Sequence, residues 1–303
     1  MSVIKKKGKI LLTGAGGQLG MDVAEKLKAR GLDTICFSRE ALDVSDKEAV
    51  LKSVTEAAPV AVINCSAYTK VDLAEKEQER AFAVNEKGAR NLALACHRNN
   101  AVFIHISTDF VFNGEKTAPY TEEDNTEPLG IYGKSKLAGE EAVKALCPAN
   151  IIIRTSWLYG VHGGNFVKTI LRLAGEKEVL RIVSDQRGSP TWTADLAEVI
   201  TRMVMVIKEA KAPFGLYHYS DEGAASWFEF AIAVVEEARK LGKTLKCKRV
   251  EPISTAAYPT PAARPAYSVL DTTKIKDTLR LAIPEWRCSL TKMLTELSRQ
   301  GRL

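Results

Sequence analysis

An α/β fold with an open, doubly wound parallel sheet is predicted by two observations. Short β-branched or apolar runs alternate with longer helical patterns through the first half of the chain, and a glycine-rich turn stands between the first run and the first helical pattern. The strand candidates are 9–13, 34–37, 60–64, 102–107 and 151–155. The helix candidates are 18–30, 46–57, 75–99 and 131–146, with further helical patterns at 193–210 and 226–241. The crossovers between the parallel strands are expected to be right-handed.

Composition excludes several classes of protein. The 303 residues are 46% hydrophobic and 26% charged, which is incompatible with a disordered, collagen-like or disulfide-stapled chain. The net charge of +6 is spread thinly, so we predict no nucleic-acid partner. The six cysteines form no C-x-x-C pair, and no apolar run reaches the roughly eighteen residues of a membrane span. We expect a soluble, cytoplasmic protein with reduced thiols and no membrane contact.

The first strand candidate runs directly into the glycine-rich turn, which reads GAGGQLG over residues 14–20. Glycines permit a tight turn and let backbone N–H groups approach a pyrophosphate at a helix N-terminus. The spacing is G-x-x-G-x-x-G, because Leu19 occupies the last glycine position of G-x-G-x-x-G. The turn's place between strand and helix predicts a Rossmann-type domain that binds a dinucleotide. The predicted contacts are Gly14, Gly17, Gln18, Leu19 and Gly20.

The end of the second strand candidate indicates which dinucleotide is bound. An NAD-binding domain usually places an acidic residue there, whereas this chain has Ser38 and Arg39. A hydroxyl and a guanidinium suit the 2′-phosphate of NADP. In the alternative interpretation Arg39 is a surface residue, and Glu40 or Asp43 serves the adenosine. We predict NADPH as the preferred cofactor, with NADH as the alternative.

A tyrosine and a lysine form the candidate catalytic pair. Tyr132 and Lys136 are four residues apart at the start of a predicted helix, so they share one face. A nearby ammonium favours the phenolate, which would lower the pKa of Tyr132 from its ordinary value near ~10. The plain alternative is a packed tyrosine and a solvated lysine. It is disfavoured because the pair follows both the glycine turn and a strand candidate that ends in Ser-Thr-Asp over residues 107–109.

These motifs together resemble the extended short-chain dehydrogenase/reductase superfamily. Within it the chain is similar to the dTDP-4-dehydrorhamnose reductase family over stretches that include VINCSAYTKVDLAE, STDFVFNGEK, PLGIYGKSKLAGE, RTSWLYG, DQRGSPT and YPTPAARP. The resemblance implies an NAD(P)H-dependent oxidoreductase. The implied reaction reduces the C4 ketone of dTDP-4-dehydro-L-rhamnose to dTDP-L-rhamnose, the last step of dTDP-rhamnose synthesis for cell-surface polysaccharide.

The resemblance also implies a role for individual residues. The implied cofactor contacts are Gly17, Gln18 and Leu19 at the pyrophosphate, Asp43 and Val44 at the adenine, and Ala67, Tyr68 and Thr69 beyond the third strand. Tyr132 is implied to protonate the substrate carbonyl oxygen, and Thr108 to hydrogen-bond the same oxygen. Lys136 is implied to hold the nicotinamide ribose. Asp109 and Trp157, together with Thr108, are implied to position the sugar.

The regular alternation of strand and helix candidates ends after about Trp157, where glycines divide the sequence into shorter segments. We therefore predict an NADP(H)-binding Rossmann domain over residues 1–157, with a segment near 188–212 returning to it. Residues 158–303 are predicted to form a smaller, mainly sugar-nucleotide-binding region.

Some features depart from the family or leave alternatives open. The family usually reads Arg-Pro-x-Asn-Ser in the late loop, whereas Tyr267 stands here in place of the Asn. Some relatives hold magnesium at a dimer interface. We assign no metal ligand here, and leave the ion, and the choice between monomer and homodimer, open.

Three alternative functions are weighed against the reductase. A sugar-nucleotide dehydratase or epimerase would share the glycine turn, Tyr132 and Lys136. A dehydratase would also carry Asp-Glu after the strand-end threonine, whereas here Thr108 is followed by Asp109 and Phe110. The others are a reductase of a different 4-keto-6-deoxysugar nucleotide, and a non-catalytic NADP-binding regulatory subunit similar to the beta subunit of methionine adenosyltransferase.

Overall fold

A central parallel sheet organises the structure, a computed structural model that describes residues 8–209 and 211–303. The strands are β1 (Ile10–Thr13), β2 (Thr34–Phe37), β3 (Ala61–Asn64), β4 (Val102–Thr108), β5 (Asn150–Thr155), β6 (Leu158–Tyr159), β7 (Val179–Val183), β8 (Arg187–Gly188), β9 (Thr191–Trp192), β10 (Gly215–His218), β11 (Ala225–Ser226) and β12 (Arg249–Ile253). The five predicted strands are confirmed as β1 to β5, and each boundary lies within a residue of its prediction.

The helices match most of the predicted helical patterns. They are α1 (Gln18–Ala29), α2 (Lys47–Ala57), α3 (Val71–Ala74), α4 (Gln78–Phe82), α5 (Gly88–Arg98), α6 (Ile131–Leu146), α7 (Phe166–Glu176), α8 (Thr193–Lys208), α9 (Trp227–Lys240), α10 (Thr273–Leu279) and α11 (Trp286–Arg299). The single helix predicted over 75–99 is wrong in one respect, because a π-helical turn at Ala83–Lys87 separates α4 from α5. Asn85 in this turn accepts a hydrogen bond from the Tyr68 backbone N–H at 2.8 Å, a tertiary contact that periodicity does not reveal.

Six strands pair in parallel in the order β10-β5-β4-β3-β1-β2. The chain proceeds from β1 outward to β2 and then returns to the other side of β1 to form β3. The strand order therefore reverses between β1 and β3. Open α/β sheets bind their ligands outside the carboxyl ends of the strands at such a point. The fold thus confirms the predicted α/β class and marks where a site is expected.

Both faces of the sheet are buried, as expected for a doubly wound fold. Side chains alternate along β1, so Ile10 and Leu12 join the core under α1 and α8, while Leu11 joins the core under α2 and α5. A third core is formed mainly by α7, α9 and α11, with Phe230 and Leu294 at 0% exposure. This third core supports the region that follows β5.

Two elements that come later in the sequence, α8 and β10, belong again with the central sheet and its helices. Helix α8 packs on α1, with an ion pair of 2.5 Å between Arg30 and Glu198, and β10 pairs with β5 at the sheet edge. Three two-stranded sheets, β7 with β12, β8 with β11 and β6 with β9, complete the remainder. The division into residues 1–157 and 158–303 stays a prediction. Within the described ranges, no helix has both the length and the apolar character that crossing a bilayer requires.

Candidate active site

The glycine turn connects β1 to α1 at the switch point of the sheet. Gly14 has φ +71°, and a Cβ on it would lie 2.5 Å from the backbone N of Ser66. A Cβ on Gly20 would lie 2.1 Å from the carbonyl oxygen of Gly14. Helix α1 begins after Gly17, and no side chain of the described residues caps its N-terminus. The free N–H groups and the positive end of the helix dipole therefore face the space above β1, where a pyrophosphate can bind.

Two connected cavities run along the carboxyl ends of the strands and share Gly16, Gly17, Cys65, Ala67 and Thr69. Of the predicted site residues, the first cavity is lined by Gly14, Gly17, Arg39, Asp43, Val44, Ala67, Tyr68 and Thr69. The second is lined by Gly17, Gln18, Leu19, Gly20, Ala67, Thr69, Thr108, Asp109, Tyr132, Lys136 and Trp157. Ser38 lines neither cavity. Its hydroxyl donates to the Glu40 carboxylate at 2.7 Å.

The first cavity carries mixed charge. Arg39, Lys70 and Arg80 line it together with the carboxylates of Glu40 and Asp43. Hydrogen bonds from the Ser45 hydroxyl and backbone N–H hold the pKa of Asp43 below its ordinary value, so this carboxylate stays ionised. The cations outnumber the carboxylates by one, which favours an anionic group at this end.

Tyr132 is placed in the second cavity by the start of α6. Burial raises the pKa of its phenol to about 12, although a hydrogen bond with Thr108 opposes the rise. The Tyr132 ring meets the Phe110 ring edge to face, with centroids 5.4 Å apart. The phenol is therefore held protonated at neutral pH, as a proton donor requires.

Lys136 lies one turn further along α6 and is 2% exposed. Its ammonium donates a hydrogen bond of 2.6 Å to the carbonyl oxygen of Ile106 on β4. Burial lowers the pKa of Lys136 to about 8, opposed by the carboxylate of Glu140. The expected lowering of the Tyr132 pKa by this ammonium is not seen, because the ammonium is directed to Ile106 and burial of the phenol dominates.

Thr108 and Asp109 stand where β4 ends. The Thr108 hydroxyl accepts from the Phe110 backbone N–H at 3.2 Å and donates to Asp109 Oδ1 at 3.1 Å. Asp109 Oδ2 is buried and makes no hydrogen bond to the described part of the chain. Burial raises the pKa of Asp109 to about 6. An oxygen of this kind is available to accept a hydrogen bond from a ligand hydroxyl.

Asp109→Asn is expected to stabilise the protein at pH 7. Because the folded pKa of about 6 exceeds the ordinary 3.8, ionisation of Asp109 costs stability as the pH rises through this window. The amide avoids that cost, so the free energy of unfolding should rise by up to about 3 kcal/mol at pH 7. Urea denaturation of both proteins at pH 7 and pH 4 measures the effect. An equal change at both pH values would contradict this electrostatic origin.

A buried ion pair anchors α6 beneath the cavity. Arg154 on β5 donates two hydrogen bonds to Glu140, at 2.9 and 2.7 Å, and the Ser107 hydroxyl donates to the same carboxylate at 2.5 Å. Burial would raise the pKa of Glu140, but the hydrogen bonds and charge of Arg154 outweigh it and lower the pKa. Because Glu140 lies on the same helical face as Tyr132 and Lys136, this network fixes the face that carries them.

Trp157 is an aromatic residue in the lining of the second cavity. It lies two residues after the end of β5, has φ +46° and stacks on Trp227. The aromatic wall and the Tyr132 donor thus belong to one cavity. Sequence patterns alone would place a tryptophan at this position in the core.

One cluster of potential metal ligands occurs among the described residues, formed by Asp22, Glu25 and His162. His162 Nε2 lies 3.5 Å from Asp22 Oδ1 and 3.4 Å from Glu25 Oε1. These distances are no shorter than ordinary side-chain contacts, and Glu25 is 66% exposed. We assign no metal to the cluster.

Sequence reasoning missed several cavity residues. Lys70 of the first cavity immediately precedes α3 and Arg80 lies on α4, and no motif in the sequence distinguishes them. Gly163 and Gly164 of the second cavity were interpreted only as breaks in the helical pattern. Two consecutive glycines were the available sequence signal for a close approach of the backbone to another group. In the structure, a Cβ on Gly163 would lie 3.3 Å from the Cβ atom of Gln18.

Comparison with known proteins places the chain among its relatives. The family model described as "RmlD substrate binding domain" matches residues 8–299. A dTDP-4-dehydrorhamnose reductase of Aggregatibacter actinomycetemcomitans is 41% identical, covering 93% of this chain and 97% of that protein. The spore coat polysaccharide biosynthesis protein SpsK of Bacillus subtilis is 43% identical, covering 96% and 98%.

A solved structure agrees with this relationship. The dTDP-4-dehydrorhamnose reductase of Bacillus anthracis, crystallised in complex with NADP, superposes with a TM-score of 0.89 at 40% identity, covering 96% of this chain and 100% of that one. Similarity extends over almost the whole length of both chains, in sequence and in structure. The chain therefore belongs to the dTDP-4-dehydrorhamnose reductase family.

Proposed function

We propose that the protein reduces the C4 ketone of dTDP-4-dehydro-L-rhamnose with NADPH and so forms dTDP-L-rhamnose, the last step in supplying this sugar for cell-surface polysaccharide. One observation carries the proposal. The glycine turn, Thr108, Tyr132 and Lys136 line the same cavity, so a reduced dinucleotide and a proton donor can meet at one carbonyl. Relatives about 40% identical over nearly the whole chain carry the name dTDP-4-dehydrorhamnose reductase, which supports the choice of substrate.

The residues of the second cavity supply orientation and a proton. Bound NADPH supplies the hydride, which is the cofactor's own chemistry. As the hydride reaches C4, the carbonyl oxygen gains negative charge and Tyr132 transfers its phenolic proton to it, giving the alcohol. The Thr108 hydroxyl donates its proton to Asp109 Oδ1 in the structure and would turn to give a second hydrogen bond to the same oxygen. The Lys136 ammonium donates to the Ile106 carbonyl oxygen and would hold the nicotinamide ribose with its remaining N–H donors.

The charge of the first cavity supports a preference for NADPH over NADH. Arg39 follows β2, where the ribose 2′ position of a dinucleotide lies in this fold, and it lines the cavity. A guanidinium recognises a phosphate through charge-assisted hydrogen bonds. The B. anthracis relative with NADP bound is in accord with this preference.

Arg39→Ala is expected to lower kcat/KM for NADPH by about 10- to 100-fold, because hydrogen bonds to a charged group contribute about 1.5–3 kcal/mol. The kcat/KM for NADH should change by less than about threefold, since NADH has no 2′-phosphate. Steady-state rates with each cofactor measure the ratio. Arg90→Ala is the control, because Arg90 pairs with Glu86 outside both cavities. Equal losses with both cofactors would argue against a 2′-phosphate contact.

A cofactor-consumption assay tests the function itself. Purified protein receives NADPH and dTDP-4-dehydro-L-rhamnose made in situ, and the loss of NADPH absorbance is compared with dTDP-L-rhamnose formed. Stoichiometric conversion is expected. Tight NADPH binding without turnover would favour the regulatory-subunit alternative, and turnover only with another 4-keto-6-deoxysugar nucleotide would change the substrate. Phe110 after Asp109 leaves no glutamate for the water elimination of a dehydratase.

The same proposal includes the cellular setting. We place the reaction in the cytoplasm, where nucleotide sugars are made, and the dTDP-sugar is the proposed partner molecule.

A further inference from the structure

The backbone at Trp157 is strained for a bulky residue. Four non-glycine residues in the described ranges have positive φ: Ala58, Asn100, Trp157 and Arg280. The other three lie at or just beyond the C-terminal ends of α2, α5 and α10, where a left-handed residue commonly ends a helix. Trp157 ends no helix and lies between β5 and β6 at the cavity wall. A strained residue at a cavity needs neighbours that hold it in place, and such strain clusters at functional sites.

Two residues hold the Trp157 side chain. The Trp227 ring stacks on it with centroids 3.5 Å apart and an interplanar angle of 4°. Gly188 packs so closely that a Cβ there would lie 2.5 Å from Trp157 Cε2 and 2.6 Å from Nε1. Only glycine at 188 leaves room for the indole in this position. We call Gly188 and Trp227 the Trp157 clamp.

The clamp is itself rigidly built. Gly188 on β8 pairs with Ala225 on β11, which brings the strand beside the start of α9. Ser226 caps α9 by a reciprocal capping box with Glu229, at 3.1 Å and 2.7 Å, and Trp227 is the first residue of the helix. Strand pairing and the helix cap thus fix both parts of the clamp relative to each other. The elements that hold the Trp157 side chain, β8, β11 and α9, therefore lie outside the glycine turn.

We propose that Trp227 and Gly188 are positioning residues, which hold the Trp157 indole as an aromatic wall for the sugar ring of the substrate. The inference rests on the proposed function, because it requires that a dTDP-sugar occupies the second cavity. An aromatic surface packs against the C–H groups and the methyl group of a 6-deoxysugar, and a wall held rigidly loses little entropy on binding. The clamp therefore acts on sugar binding and not on NADPH binding.

A double-mutant cycle tests the clamp. Trp227→Leu should raise the KM for dTDP-4-dehydro-L-rhamnose by about 3- to 10-fold, the value of one aromatic pair, and leave the KM for NADPH unchanged. In a Trp157→Ala background the same substitution should have no further effect on that KM, because Trp227 acts only through Trp157. Gly188→Ala disturbs the second contact of the Trp157 indole and should raise the KM for the sugar nucleotide by a similar factor.

Controls separate this role from general packing. Trp286→Leu removes a tryptophan from the same core that makes no ring contact with Trp157, so it should lower thermal stability without raising the sugar KM. The same double-mutant cycle is repeated by calorimetry, which measures the affinity of each variant for dTDP-L-rhamnose and requires no turnover. If Trp227→Leu leaves the sugar KM unchanged, or raises it equally in both backgrounds, the proposed role of the Trp157 clamp is wrong. A wild-type protein that neither turns over nor binds dTDP-L-rhamnose would overturn the proposed function, and the clamp with it.

Discussion

Tyr132→Phe is expected to lower kcat by about 10²- to 10⁴-fold, the usual contribution of a positioned proton donor. The substitution removes the phenolic oxygen and leaves the ring, so the edge-to-face contact with Phe110 and the start of α6 should persist. The variant should therefore fold and bind NADPH with nearly unchanged affinity. Stopped-flow measurement of NADPH oxidation, together with cofactor binding by fluorescence, checks both statements.

The matched control is Tyr217→Phe, which removes a hydroxyl from a buried tyrosine of β10 that lines neither cavity. Its kcat should remain within about twofold of the wild type, because surface and scaffold changes away from the reacting atoms seldom alter the barrier. Near-normal reduction by Tyr132→Phe would mean that another group delivers the proton.

Glu140→Gln is expected to lower the free energy of unfolding by about 3–5 kcal/mol, the usual cost of leaving one member of a buried ion pair uncompensated. Arg154 is 2% exposed and Glu140 0% exposed, so water cannot replace the lost charge. Urea denaturation measures the loss. Because the pKa of Glu140 is lowered in the fold, the difference between the two proteins should be largest near neutral pH and shrink as acid protonates Glu140.

Two further variants make this prediction specific. Glu176→Gln breaks an exposed pair with Arg172, whose side chains are 61% and 52% exposed, and should cost less than about 1 kcal/mol. The double variant Glu140→Gln with Arg154→Met should recover much of the loss, since an apolar side chain tolerates burial. If Glu140→Gln costs no more than Glu176→Gln, the pair does not anchor α6.

The parts of the fold that depend on local pattern could be predicted from the sequence. The runs that became β1 to β5 are mainly apolar or β-branched, as is typical of strands in a doubly wound sheet, and the spacing of the glycines marks the tight turn between β1 and α1. Strand β10 was not predicted. It is four residues long and contains His218, whose backbone N–H donates to Glu122 in a contact made far along the chain. Tertiary pairing, not local propensity, makes it a strand.

The candidate site also has a part that could be predicted from the sequence and a part that could not. Tyr132 and Lys136 could be predicted because helical spacing places them on one face, and Thr108 and Asp109 because they end a buried strand. The electrostatics could not be predicted, since the burial that raises the Tyr132 pKa to about 12 depends on tertiary packing against residues such as Phe110 and Tyr68. The Trp157 clamp could not be predicted either, because a left-handed backbone at a tryptophan leaves no sequence pattern.

Deuterium transfer tests the central claim most directly. NADPH in which both hydrogens at nicotinamide C4 are deuterium is mixed with the protein and dTDP-4-dehydro-L-rhamnose, and the product is examined by NMR. Direct hydride transfer to the C4 ketone, with Tyr132 supplying the proton, predicts dTDP-L-rhamnose with one deuterium bound to C4 for each NADPH oxidised. Product that carries solvent hydrogen at C4, or deuterium at another carbon, would contradict the account.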